Sequence, residues 1–110
     1  MKVWYNVEIQ MLGENERYPA LDEEIGNALD FVGHDIDERE LYSLTALYTS
    51  TRKPTEMRKR IRDFLDGHPE IYYIDVIYRW DSENVPDRFV IWQDGRTQEY
   101  TGEIVFKEDK

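Results

Sequence analysis

The 110-residue sequence contains no cysteine. Disulfides and thiolate chemistry are therefore excluded, and any fold must rest on its own apolar core. Long apolar runs are also missing. Nothing approaches the roughly 20 consecutive apolar residues of a membrane span. In the opening "MKVWYNVEIQML", Asn6, Glu8 and Gln10 interrupt the stretch that a signal peptide needs. A soluble, cytoplasmic protein without membrane contact is the expectation. Catalytic signatures are absent as well: there is no G-x-S-x-G, no P-loop and no G-x-G-x-x-G. No catalytic residues and no cofactor are expected, and the chain does not read as an enzyme. His34 stands beside Asp35 and Asp37, but that spacing fits no standard metal site. The segment reads as a turn after a helix, with no metal. His68 reads as a helix-end residue favoured by the dipole.

What is present is charge, and it is uneven. The formal net charge is −10. Within 52–62 stand six basic residues, Arg52, Lys53, Arg58, Lys59, Arg60 and Arg62, against one acid, Glu56. The rest of the chain holds eight basic and 23 acidic residues. An acidic surface repels nucleic acid and attracts basic partners. The basic cluster partly supports its own helix, through Glu56–Arg60, Lys59–Asp63 and Arg62–Asp66 at i,i+4 spacing. Arg52, Lys53 and Arg58 have no such partner. With Arg62 they form an alternative anion-binding site.

The length suits a single domain over 1–110. "VWYNVEIQM" alternates, with Val3, Tyr5, Val7, Ile9 and Met11 on one side and Trp4, Asn6, Glu8 and Gln10 on the other, which is a strand with one wet face. In "ALDEEIGNALDFVG", Leu21, Ile25, Ala28, Leu29 and Val32 fall at helical spacing, with Gly33 placed to end the helix. "ELYSLTALYTS" is a second strand. Pro54 opens a second helix with an apolar stripe of Met57, Ile61, Phe64 and Leu65, closed by Gly67 in a left-handed cap and by Pro69. "IYYIDVIYRW" is apolar on both sides and reads as a central strand. Asp94-Gly95 marks a two-residue hairpin turn, which pairs Phe89 with Tyr100 and Val90 with Glu99.

The expected fold is therefore an α+β two-layer sandwich. A five-stranded mixed or antiparallel sheet, in chain order β-α-β-α-β-β-β, carries two helices on one face. Strands are placed at 3–12, 41–49, 71–80, 88–93 and 97–106, and helices at 20–32 and 54–66.

If the helices cover the Val3 side, then Trp4, Glu8, Tyr73, Asp75, Trp92, Glu99 and Glu103 point outward. Aromatic rings supply rigid contact area and carboxylates supply steering. The expected function is a small, non-enzymatic binding or inhibitor protein that engages a basic, nucleic-acid-handling protein through this acidic-aromatic surface. In size, acidity and lack of cysteine the chain resembles small inhibitors such as nuclease immunity proteins and phage-encoded anti-defence proteins. That resemblance is one of composition and assigns no residue. It implies acids standing in for phosphates in a basic groove. The alternatives are a nucleic-acid or nucleotide binder working through the basic helix, and a small mixed α/β enzyme or dimeric ligand-binding domain. Direct nucleic-acid binding is the less favoured, and a homodimer through the open face is compatible with the same surface.

Overall fold

The computed structural model describes residues 2–31, 33–80 and 85–100, with backbone alone at Asn15 and over 33–38. Strand β1 (Val3–Met11) leads through a 3-10 turn (Asn15–Arg17) to helix α1 (Leu21–Ala28). Strands β2 (Gly33–Arg39) and β3 (Ser43–Ser50) follow, then helix α2 (Pro54–Asp66) and strands β4 (Ile71–Trp80), β5 (Asp87–Trp92) and β6 (Thr97–Tyr100). One sheet has the order β2-β3-β1-β4-β5-β6. All neighbours are antiparallel. The α+β sandwich holds, with both helices on one face.

That face is the alternating set read from the sequence. Val3, Tyr5, Val7, Ile9 and Met11 of β1 are buried, with Leu44, Ala46 and Tyr48 of β3 and Ile74 and Val76 of β4. Phe89 and Ile91 of β5 complete the sheet side, and Leu21, Ile25, Leu29, Met57, Ile61, Phe64 and Leu65 close the core from the helices. Two tyrosine hydroxyls inside this layer find acceptors: Tyr5 donates to the Arg52 carbonyl at 2.9 Å and Tyr48 to the Asp22 carbonyl at 3.3 Å. Buried hydroxyls thus tie the sheet to the ends of both helices instead of costing desolvation. No described helix is long and apolar enough to cross a membrane.

The sixth strand, β2, is where the structure departs most from the sequence reading. The cause lies three residues earlier. Helix α1 does not run to Gly33. It ends at Ala28, and Asp30 just beyond the Leu29 cap takes a left-handed conformation (φ 59°). The Phe31 N–H bonds the Gly26 carbonyl at 2.9 Å and the Asp30 N–H the Asn27 carbonyl at 3.3 Å, the double bond of a Schellman ending. A glycine is the usual occupant, but aspartate tolerates this region better than most residues. Ended early, the chain has room to turn, and Gly33–Arg39 pairs with β3 instead of forming the expected turn.

The β5–β6 hairpin also differs. Its loop is Gln93-Asp94-Gly95, three residues and not two. The Gly95 N–H closes on the Trp92 carbonyl at 3.1 Å, and the Trp92 N–H bonds the Arg96 carbonyl at 3.0 Å. Gly95 is left-handed (φ 97°), as in a hairpin with a glycine bulge. The extra loop residue shifts the register by one. Phe89 pairs with Glu99, Val90 with Gln98 and Arg88 with Tyr100. Such a slip moves every β6 side chain to the opposite face. A smaller irregularity in β4 opposite Gln10 and Met11 buries Ile71 and leaves Tyr72 exposed. Finally, Gly67 closes α2 with right-handed geometry (φ −88°) and not as a left-handed cap.

Candidate functional site

No described element packs on the second face of the sheet. Register brings part of the expected surface together there. Glu8 of β1 pairs with Asp75 of β4, and Gln10 with Tyr73. Tyr73 pairs in turn with Trp92 of β5. Glu8, Asp75, Tyr73 and Trp92 therefore form one patch, with the Tyr73 and Trp92 rings 6.3 Å apart. Trp4 shares the face but not the patch. It lies opposite Arg79, six residues along β4 from Tyr73, or about 20 Å at strand rise. Lys2 and Arg79 each stand 5.7 Å from its ring.

Glu99 is not on this face. The register shift carries it to the helix side, where it pairs with Arg58 of α2. Glu103 lies outside the described residues. The face also bears a residue that the sequence reading passed over. Arg88, opposite Ile77 in the register, donates Nε to Asp75 Oδ1 at 3.0 Å and Nη2 to Asp75 Oδ2 at 2.8 Å. Its guanidinium lies 4.7 Å over the Tyr100 ring. No local spacing signals it, because Asp75 and Arg88 stand on different strands. Among the described residues, Arg79 and Arg88 offset Glu8 and Asp75, so the open face is less acidic than expected.

The two carboxylates are not equivalent. Arg88 neutralises Asp75 in a forked, part-buried pair. No hydrogen bond or ion pair among the described residues reaches the Glu8 carboxylate. Burial raises its pKa above the usual range, the neighbouring Asp75 and Glu40 push the same way, and Arg88 opposes them. Tyr73 beside it is raised too, by burial and then by Glu8 and Asp75. The patch thus holds a half-buried carboxylate whose charged form burial disfavours, edged by two aromatic rings.

The basic helix has a different occupation. Arg52 holds Asp30 Oδ2 at 2.7 and 3.0 Å and also pairs with Glu56. Its guanidinium latches the left-handed end of α1. Arg58 lies 5.0 Å over the Phe89 ring as well as pairing with Glu99. Arg60 donates to the Ala28 carbonyl at 3.0 Å and stands 3.8 Å from Glu56. Arg62 donates to the Trp92 and Gln93 carbonyls at 2.8 and 3.2 Å, and to Asp66 at 3.1 Å. Arg52 and Arg58, expected to lack partners, have them. Of the cluster, Lys53 and Lys59 have no carboxylate at ion-pair distance among the described residues, so the expected Lys59–Asp63 pair is not made. The positive charge fastens α2 to α1, β5 and β6.

His68 makes a second fastening. Its Nδ1 lies 2.9 Å from the Phe64 carbonyl and its Nε2 lies 2.9 Å from Glu24 Oε2. Both neighbours are acceptors, so both ring nitrogens must donate, and only the imidazolium does that. Burial opposes the charge, but the Glu24 and Phe64 bonds and the Glu70 field outweigh it, and the pKa is raised above the ordinary 6.5. A raised folded pKa gives stability that is full below the unfolded pKa and lost as pH rises through the folded one. Melting curves should therefore show a larger deficit for Glu24→Gln at pH 6 than at pH 8.5. An equal deficit at both would refute the charged clasp. As for His34, Asp35 and Asp37, they lie on β2, where only backbone is described. Among the described residues no three His, Asp or Glu side chains are grouped to hold a metal.

No protein-family model, curated protein or solved structure matches the chain.

Proposed function

We propose that this chain is a non-enzymatic binding protein that docks a basic protein, of the kind that handles nucleic acid, on the open face of its sheet. The observation that carries this reading is Glu8, a half-buried carboxylate that no hydrogen bond or ion pair reaches among the described residues, beside Asp75 and the Tyr73–Trp92 pair. A lysine or arginine of a partner supplies the missing counter-charge there, and an arginine also stacks on the neighbouring rings. Proteins that grip phosphate backbones present such cations in their grooves. The net charge of −10 steers a basic partner from a distance, although the face itself is nearly balanced.

The test is capture of the partner from the native host, followed by titration calorimetry with variants. Trp92→Ala should weaken binding about tenfold or more. Glu8→Lys should mostly slow association, with the loss growing at low salt. Lys53→Glu with Lys59→Glu should leave affinity unchanged. The reverse ranking, with a nucleic acid as the captured ligand, would transfer the site to α2 and defeat the proposal.

A further inference from the structure

Seven large apolar side chains are exposed among the described residues, and four of them, Leu12, Leu41, Tyr42 and Tyr72, gather at one end of the sheet. Their proximity follows from the backbone. The Met11 N–H bonds the Tyr42 carbonyl at 2.8 Å and the Leu12 N–H the Glu70 carbonyl at 2.8 Å. Continuing the β1–β3 register beyond Gln10 and Ser43 sets Leu12 against Leu41. Tyr72 is the residue displaced outward where β4 shifts register against β1.

Leu41 and Tyr42 are unusual for their position. They form the two-residue tip of the β2–β3 hairpin, closed by the Glu40 N–H on the Ser43 carbonyl at 3.0 Å. Hairpin tips favour glycine, asparagine and aspartate, which suit both the turn and the water around it. An apolar pair there, 53% and 45% exposed, with Leu12 at 65%, serves neither turn nor core. Two glutamates stand beside Leu41. Glu16, Glu40 and Leu41 line one shallow depression with Pro19 and Arg39, and Arg39 is turned to Asp22 at 3.5 Å. Glu14 follows Leu12 by two residues, and Glu70 is the residue whose carbonyl Leu12 holds.

We propose that this strand-end patch is a second docking surface, adjoining the open face where the Tyr72 and Tyr73 rings stand 5.6 Å apart, and that it takes a basic amphipathic peptide segment. Exposed apolar side chains clustered beside polar ones mark an interaction site, and Glu16 and Glu40 beside Leu41 favour lysine or arginine flanking the apolar anchors. The inference does not depend on the role of Glu8 and Trp92.

The probe is a labelled peptide of about 14 residues, roughly four helical turns, with leucine on one face and lysine on the other. Its counterpart carries glutamate in place of lysine. Anisotropy should detect the lysine peptide and not the glutamate one, and amide shifts should centre on Leu12, Leu41, Tyr42 and Tyr72. Leu12→Ala with Leu41→Ala should weaken binding about tenfold. Glu16→Gln with Glu40→Gln should weaken it less and slow association. Trp92→Ala should change nothing. The leucine and glutamate side chains are exposed, so those variants should fold. No binding, equal binding of both peptides, indifference to the leucines, or shifts centred on Trp92 would each overturn the proposal.

Discussion

Truncating Ile61 to alanine should lower the unfolding free energy by about 2–5 kcal/mol, a large part of what a chain of this size possesses. Ile61 is 1% exposed in the middle of the α2 stripe, between helix and sheet. Deleting its outer carbons forfeits their transfer energy and leaves a cavity whose walls, held by strands on one side and by α2 on the other, collapse little. Urea titration measures the effect as a lower midpoint with unchanged slope. Lys59→Ala on the outward side of the same helix should cost less than about 0.5 kcal/mol. Similar costs for the two would mean that α2 does not bury its stripe as described.

The second large effect is expected at Arg62. Its guanidinium reaches the Trp92 and Gln93 carbonyls at the start of the β5–β6 loop. Removing it strips two part-buried acceptors of a charged donor. Bonds to charged groups contribute about 1.5–3 kcal/mol, so Arg62→Ala should cost about that much. Amide exchange should quicken first in the β5–β6 hairpin. Arg62→Lys should recover only part of the loss, because an ammonium cannot fork between two carbonyls as a guanidinium does. Full recovery with lysine would reduce the interaction to simple charge.

These two residues illustrate what the sequence discloses and what it withholds. Ile61 was legible because its environment is periodic. Met57, Ile61, Phe64 and Leu65 recur at helical spacing, as the β1 residues recur at a spacing of two. The role of Arg62 was half legible. Its pairing with Asp66 is local and follows from i,i+4 spacing. Its grip on the hairpin spans 30 residues, and no short-range rule predicts it. Two further misreadings came from glycine. Gly33 looked like the end of α1 while Asp30, a less usual occupant, held the left-handed position, and that concealed β2. Gly95 fits a two-residue turn and a three-residue turn equally well. The choice between them decided the face of Glu99, and with it the partner of Arg58. At the candidate site, Glu8, Asp75, Tyr73 and Trp92 were placed together because strands send alternate residues to one face and the strong alternation of β1 shows which face the helices cover. Arg88 was missed because its significance lies in a cross-strand neighbour.

The order of the strands has a consequence for the chain in time. The first strand of the sequence, β1, lies inside the sheet, where Val3 pairs with Ser50 on one side and with Trp80 on the other. Its pairing with β3 is incomplete until residue 50 is made, and its pairing with β4 until residue 80. Long-range pairing of this kind slows folding, because loop-closure entropy is lost before contacts repay it, and an unpaired strand is a template for other chains. Meanwhile the β2–β3 and β5–β6 hairpins need only local closure. The pairing of β1 with both β3 and β4 is what joins the β2–β3 hairpin to the β4–β5–β6 strands in one sheet.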